Sequence, residues 1–181
     1  MVKSAYSFST KKEKIEKYII VVWVDNESGA LARVVGLFSG RGYNIDSLAV
    51  AIVDKKKNIS RITIATSGTQ QVLQQIKLQL GKLIPVHKVA DFPSNTKTLM
   101  REMALFKIVS SKAKLEKAKK ICKKYNYKIL DKTEKSFVLE VSALKKEIDE
   151  LVKKLQPLGL VSTSRTGVVA MTKGSEIYEQ H

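Results

Sequence analysis

The chain has 181 residues, 44% of them hydrophobic and 28% charged, with a formal net charge of +16. That is enough apolar sequence for one domain or two small ones, and no apolar run reaches the roughly 18 residues of a membrane-spanning helix. One cysteine, Cys122, excludes an internal disulfide, and the excess lysine, spread over both halves, reads as solvated surface ahead of a nucleic-acid contact.

The N-terminal tail, 1–16, is polar and lysine-rich without the apolar segment of a secretory signal, which predicts a cytoplasmic protein, or a stromal one in a eukaryote. An apolar run from Tyr18 to Val24 then predicts a strand over 17–25 that is covered on both faces or central in a sheet. It stops at Asp25-Asn26, whose side chains favour turns and helix caps. Leu31, Val34, Val35 and Phe38 recur at helical spacing and predict a helix over about 29–40, which Gly40 and Gly42 let the chain leave. The loop between them offers backbone N–H groups at a helix N-terminus, a place suited to a small carboxylate.

A strand over 45–54, a polar turn at Lys55–Asn58 and a strand from Ile59 to Thr66 follow. In the latter, Ile62 and Ile64 share one face, Arg61 and Thr63 the other. Ser67-Gly68-Thr69 breaks the strand and can cap a helix over about 70–82, marked by Val72, Leu73, Ile76 and Leu80. Leu83 to Val89 closes the unit as a strand that Pro85 confines to an edge. The order β-α-β-β-α-β is the ferredoxin-like arrangement. In its sheet order 4-1-3-2 the 45–54 strand is the opposite edge, free to pair with its counterpart from a second chain.

Turn formers from Asp91 to Thr96 mark a linker, placed at 93–98, and the same order then recurs. Met103–Val109 reads as a strand, 112–125 as a helix through Leu115, Ala118, Cys122 and Tyr125, and Tyr127–Leu130 and Phe137–Val141 as strands. Leu144, Ile148, Leu151, Val152 and Leu155 mark a second helix, ended near Pro157 and Gly159, and Val161 with Val168–Met171 supplies final strand material. The fold class predicted is therefore α+β, with two ferredoxin-like βαββαβ domains over 17–92 and 99–175 and a tail over 176–181.

Catalytic chemistry finds little support. The histidines are His87, on a predicted strand surface, and His181, the last residue; Cys122 falls on an apolar helix stripe; no His, Cys or carboxylate spacing suggests a metal. Gly36, Gly40 and Gly42 come at the end of a helix, whereas phosphate-binding glycines precede one. The competing class is a basic RNA-binding protein, because RNA-binding domains share this element order and stack bases on central-strand aromatics. Phe137, two places after Lys135, is the one residue placed for that, and a buried core phenylalanine explains it equally well.

A resemblance rests on the blocks from Asp25 to Arg33 and from Gly36 to Leu48, on Ser60-Arg61-Ile62-Thr63-Ile64, Gln75-Ile76 and Gln79-Leu80-Gly81-Lys82-Leu83, and later on Arg101-Glu102-Met103-Ala104-Leu105 and Arg165-Thr166-Gly167-Val168-Val169-Ala170. Together these resemble the acetolactate synthase (acetohydroxyacid synthase) small, regulatory subunit, whose N-terminal part is an ACT domain. The sequence departs from that family's pattern at Asp25, where Glu is common, and at Ser162-Thr163-Ser164, where an acidic residue usually precedes the arginine.

The resemblance implies a non-catalytic, allosteric subunit of branched-chain amino acid biosynthesis that serves the isoleucine and valine routes. Its ACT domain, over 17–92, pairs into a homodimer and binds valine, or leucine or isoleucine, at the interface. The subunit activates a large catalytic subunit and confers feedback inhibition on it. No cofactor is expected in this chain; thiamine diphosphate, Mg and FAD belong to the catalytic subunit, and neither nucleic acid nor membrane is an expected partner. The matching effector positions are Asn26, Gly29, Ala30, Leu31, Asn44 and Ile45. Backbone N–H groups around Gly29–Leu31 would hold the effector's carboxylate, and the side-chain carbonyls of Asn26 and Asn44 its ammonium.

Overall fold

In the computed structural model, which describes residues 14–92 and 98–175, the first half of the chain runs β1 (Glu16–Asp25), α1 (Ala30–Gly40), β2 (Ser47–Asp54), β3 (Ile59–Gly68), α2 (Gln70–Leu80) and β4 (Val86–Phe92). All pairings are antiparallel and the sheet order is β2-β3-β1-β4. β1 takes a central place because Ile19 to Val24 are all buried, apolar side chains that only a sheet interior can hold. α1 buries Ala30, Val34 and Phe38 and α2 buries Leu73, Ile76 and Leu80, together covering Ile20, Val22, Val24, Ile62 and Ile64 on one face of the sheet.

The second half runs β5 (Thr98–Val109), α3 (Lys112–Cys122), β6 (Tyr127–Lys132), β7 (Ser136–Ala143), α4 (Lys145–Leu155), a 3-10 turn (Gln156–Leu158), β8 (Leu160–Arg165) and β9 (Val169–Thr172). Its sheet order is β6-β7-β5-β8, and α3 and α4 cover Phe106, Ile108, Phe137, Leu139 and Val141. The two ferredoxin-like units of an α+β fold are thus both present.

The final strand material is two strands rather than one. β8 lies beside β5 at Ala104–Ile108, whereas β9 pairs with the first residues of β5, Thr98–Arg101. Between them Gly167 adopts φ 80, a left-handed turn that only glycine makes without strain. The turn sends Val168 and Ala170 onto the second face of the first sheet, against Ile19, Val21, Trp23, Ala65, Ala90 and Phe92. β1 is therefore covered on both faces, by helices on one side and by a segment of the second half on the other.

Boundaries differ from the sequence expectation where turns take residues from strands. β4 begins at Val86 rather than Leu83, since residues 81–85 turn and the Pro85 carbonyl accepts the Asp25 N–H at 2.8 Å; it is an edge strand, as the proline predicts. β3 continues through Ser67-Gly68, and Thr69 caps α2, its Oγ1 accepting the Val72 N–H at 3.3 Å. β2 begins at Ser47, so Asn44 and Ile45 precede the edge strand instead of entering it. Of the expected linker, residues 93–97 lie outside the described residues, as do residues 1–13 and the C-terminal 176–181 with His181, and Thr98 already opens β5.

Candidate functional site

β1 ends at Asp25 and the loop to α1 is fixed by a pair of asparagines. The Asn26 N–H donates to the Asn58 carbonyl at 2.8 Å, its Nδ2 donates to Asn58 Oδ1 at 3.1 Å, and the Asn58 Nδ2 returns a bond to the Asn26 carbonyl at 3.1 Å. The Ser60 hydroxyl donates to Asn26 Oδ1 at 3.1 Å. An amide side chain is required here because the same group must donate on one side and accept on the other. Asn58, which sits in the β2–β3 turn at φ 53, is the residue sequence reasoning missed. Its Asn identity in a left-handed turn position was the available signal.

The N-cap of α1 is Gly29, not Asp25 or Asn26. It adopts φ 86 and no side chain caps the helix; the Ala30 N–H donates to the Glu27 carbonyl at 3.3 Å, which leaves the Leu31 and Ala32 N–H groups of the first turn for a partner from outside. A Cβ built on Gly29 meets nothing within 4 Å, so the space before the loop is free. Ala30 is buried beneath this turn and Leu31 is exposed beside it. Arg33, one turn into the helix, pairs with Glu27 at 3.3 Å. The arrangement can receive a carboxylate on N–H donors at the positive end of the helix dipole.

The other predicted residues lie elsewhere. Asn44 Nδ2 donates to Asp46 Oδ1 at 2.8 Å, and its backbone carbonyl accepts the Thr66 hydroxyl at 2.6 Å. Asp46 Oδ2 accepts from Ser67 at 3.0 Å and its N–H donates to the Ala65 carbonyl at 2.8 Å. Ile45 packs half-buried against the helix-side core. Asn44 and Asp46 thus form an acceptor-rich corner, and Asp46 is a second residue the sequence reading passed over.

Asn26 is tied to Ser60 and Asn44 to Thr66, near opposite ends of the extended β3. At about 3.3 Å per residue they are separated by about 20 Å, far more than one amino acid can span. Between them β2 is an open edge with Val50, Ile52 and Val53 exposed. Gly29, Ala30, Leu31 and Asn26 come together in one chain; Asn44 and Ile45 do not join them.

The remaining candidates are structural. His87 Nε2 lies 2.6 Å from Asp25 Oδ1 on an exposed strand surface. Cys122 is buried in the second core, and burial pushes its thiol up to about 11, so it is a poor nucleophile. The Phe137 ring is buried beneath α3, with Lys119 over it at 5.9 Å, and presents no stacking platform. An open cleft of about 1110 Å³ lies at the start of α3 among Lys112, Lys119, Lys132 and Lys135, in the second half and not at α1. Among the described residues no cluster of His, Cys, Asp or Glu could hold a metal, and no helix is long and apolar enough to cross a membrane.

Comparison with known proteins bears on the family and the fold. Residues 20–88 match the family described as the AHAS small subunit-like ACT domain, and residues 101–174 the family described as the small subunit of acetolactate synthase. The chain is 38% identical over 160 residues to the acetolactate synthase isozyme 3 small subunit of Salmonella typhimurium, covering 88% of this chain and 97% of that one. It is 36% identical over 172 residues to the acetolactate synthase small subunit of Aquifex aeolicus, covering 94% and 88%. The crystal structure of the acetolactate synthase small subunit from Thermotoga maritima superposes with a TM-score of 0.81 at 27% identity, covering 89% of this chain and 99% of that chain.

Proposed function

The chain belongs to the acetolactate synthase small-subunit family, and from that premise we propose that it is a regulatory subunit which binds valine between two copies of its first domain. It partners a large, thiamine-diphosphate-dependent catalytic subunit, activates it, and makes it sensitive to valine. Catalysis belongs to that partner, with its thiamine diphosphate, Mg and FAD.

The observation that carries this reading is the separation of Asn26 from Asn44 along β3. Two chains paired antiparallel through their β2 edges have a two-fold axis near the middle of β2. That axis brings the Asp54 end of one strand, with Asn26 and Gly29 behind it, to the Ser47 end of the other, with Asn44 and Asp46. The effector's carboxylate then rests on the N–H groups of one chain's α1, while its ammonium meets the Asn44–Asp46 corner of the partner and the Asn26 carbonyl. Exposed Val50, Ile52 and Val53 become buried in the same pairing, which supports the edge as the contact.

Titration calorimetry with valine tests the site. Gly29→Asp places a carboxylate where the effector's own would lie and strains a backbone at φ 86, so a loss of at least about tenfold in affinity is expected. Activation of the catalytic subunit without valine should be retained. Full-strength valine binding in this variant would place the site elsewhere.

A further inference from the structure

Residues 166–170 join the two halves. β8 ends at Arg165, whose Nε and Nη2 donate to the two carboxylate oxygens of Glu102 at 2.8 and 2.7 Å, and whose Nη1 donates to Asp149 on α4 at 2.6 Å. Glu102 is only 3% exposed, so this bidentate pair fixes the start of the segment to the second half. Beyond the turn at Gly167, Val168 and Ala170 are buried on the first sheet.

Two of the segment's contacts fall beside the supports of the effector site, on the opposite face of the sheet. The Val168 N–H donates to the Oγ of Ser47, the first residue of β2, at 3.4 Å. A Cβ built on Gly167 would stand 3.2 Å from the Ser47 Cβ, so Ser47 leaves little room for a side chain at this turn. Farther along, Arg61 donates to the Ala170 carbonyl at 2.5 Å, with its guanidinium over the Trp23 and Phe92 rings at 5.6 and 5.8 Å. Its neighbour Ser60 is the residue that holds Asn26.

Resting on the valine site proposed above, we infer that this segment is the coupling element through which occupancy of the Asn44–Asp46 corner reaches the second domain. A ligand that draws residues 44–46 toward the dimer axis moves Ser47 relative to Gly167 and Val168. The Val168–Ser47 bond is long for an N–H to oxygen contact, so a small shift at the start of β2 closes or breaks it. Those are two settings of one element, and valine must bind them with different affinity if it is to shift the balance.

The test uses holoenzyme reconstituted with the cognate catalytic subunit, carrying Gly167→Ala or, should that chain fold poorly, Ser47→Ala. Valine affinity is read by calorimetry and inhibition by acetolactate formation at saturating valine. Uncoupling predicts affinity within about threefold of the unmodified protein, unchanged activity without valine, and residual activity at saturation raised at least about fivefold. Inhibition that follows occupancy as before in both variants would overturn the inference. If the unmodified holoenzyme binds no valine, the site reading itself fails and takes the coupling with it, an outcome the calorimetry distinguishes.

Discussion

The two halves of the molecule share an element order but bury their sheets differently. In the first, β1 and β3 are buried on both faces, by α1 and α2 on one side and by Val168, Ala170 and Met100 on the other. In the second, β5 and β7 alternate, with Phe106, Ile108, Leu139 and Val141 beneath α3 and α4. Leu105 and Val138 are only partly covered on the other face and Lys107 is exposed. A sheet with one open face can end in water, whereas one with two apolar faces needs a cover from elsewhere in the chain. The second domain is thereby tied to the sheet that bears the proposed effector site, while its own outer face is only partly covered.

Substitution on the outer faces of the two sheets sharpens that contrast. Trp23→Ala, on the covered face, removes a fully buried indole and should cost about 4 kcal/mol in chemical denaturation, whereas Val138→Ala on the open face should cost about 1 kcal/mol or less. Equal losses would break the comparison. Next in size is Arg165→Ala, which leaves the Glu102 carboxylate buried without its bidentate partner and should cost about 3 kcal/mol. Asp149 is the third member of this cluster, paired with Arg165 as well. Burial pulls its carboxyl up, but the Arg165 hydrogen bond and nearby lysines outweigh this and hold it below the usual range. A group with a lowered folded value contributes stability above its unfolded value near 3.8 and loses it as the pH falls further. Acid titration of Asp149→Asn should lack that contribution.

The smallest expected difference lies at the helix starts. Thr69 caps α2 with a side-chain bond, while Ser111 before α3 makes none. Thr69→Ala should therefore cost about 1 kcal/mol and Ser111→Ala only a few tenths. Comparable losses at both positions would mean that the Thr69 side-chain bond does not set α2 apart from α3.

Much of this was legible in the sequence because it depends on near neighbours. The spacing of Leu31, Val34 and Phe38 and of Leu73, Ile76 and Leu80 gives helices, and the alternation of Phe137, Leu139 and Val141 gives a half-buried strand. The unbroken run Ile19–Val24 announced a strand covered on both faces or central in a sheet, and could not say what would cover it. The cover, β9, is four residues long and acquires meaning only from its distant partners on β5 and from the turn at Gly167. At the site, Asn26, Gly29 and Asn44 were marked by resemblance. The bonds that tie Asn26 to Asn58 and Ser60, and Asn44 to Thr66, span more than 20 positions, and no local pattern shows the pairing. Gly29 as the cap was hidden for a different reason, since polar Asp25-Asn26 is the stronger cap signal and is diverted to Asn58, Pro85 and His87.

The shared nature of the site is tested most directly by mixing two variants, Asn26→Ala and Asn44→Ala, each expected to bind valine poorly alone. After subunit exchange, half of the dimers are mixed, and each of these has one site with both asparagines and one with neither. Calorimetry should then recover about a quarter of the valine sites at unmodified affinity. If each chain built its site alone, no mixture would restore binding, and the two-chain site would be contradicted.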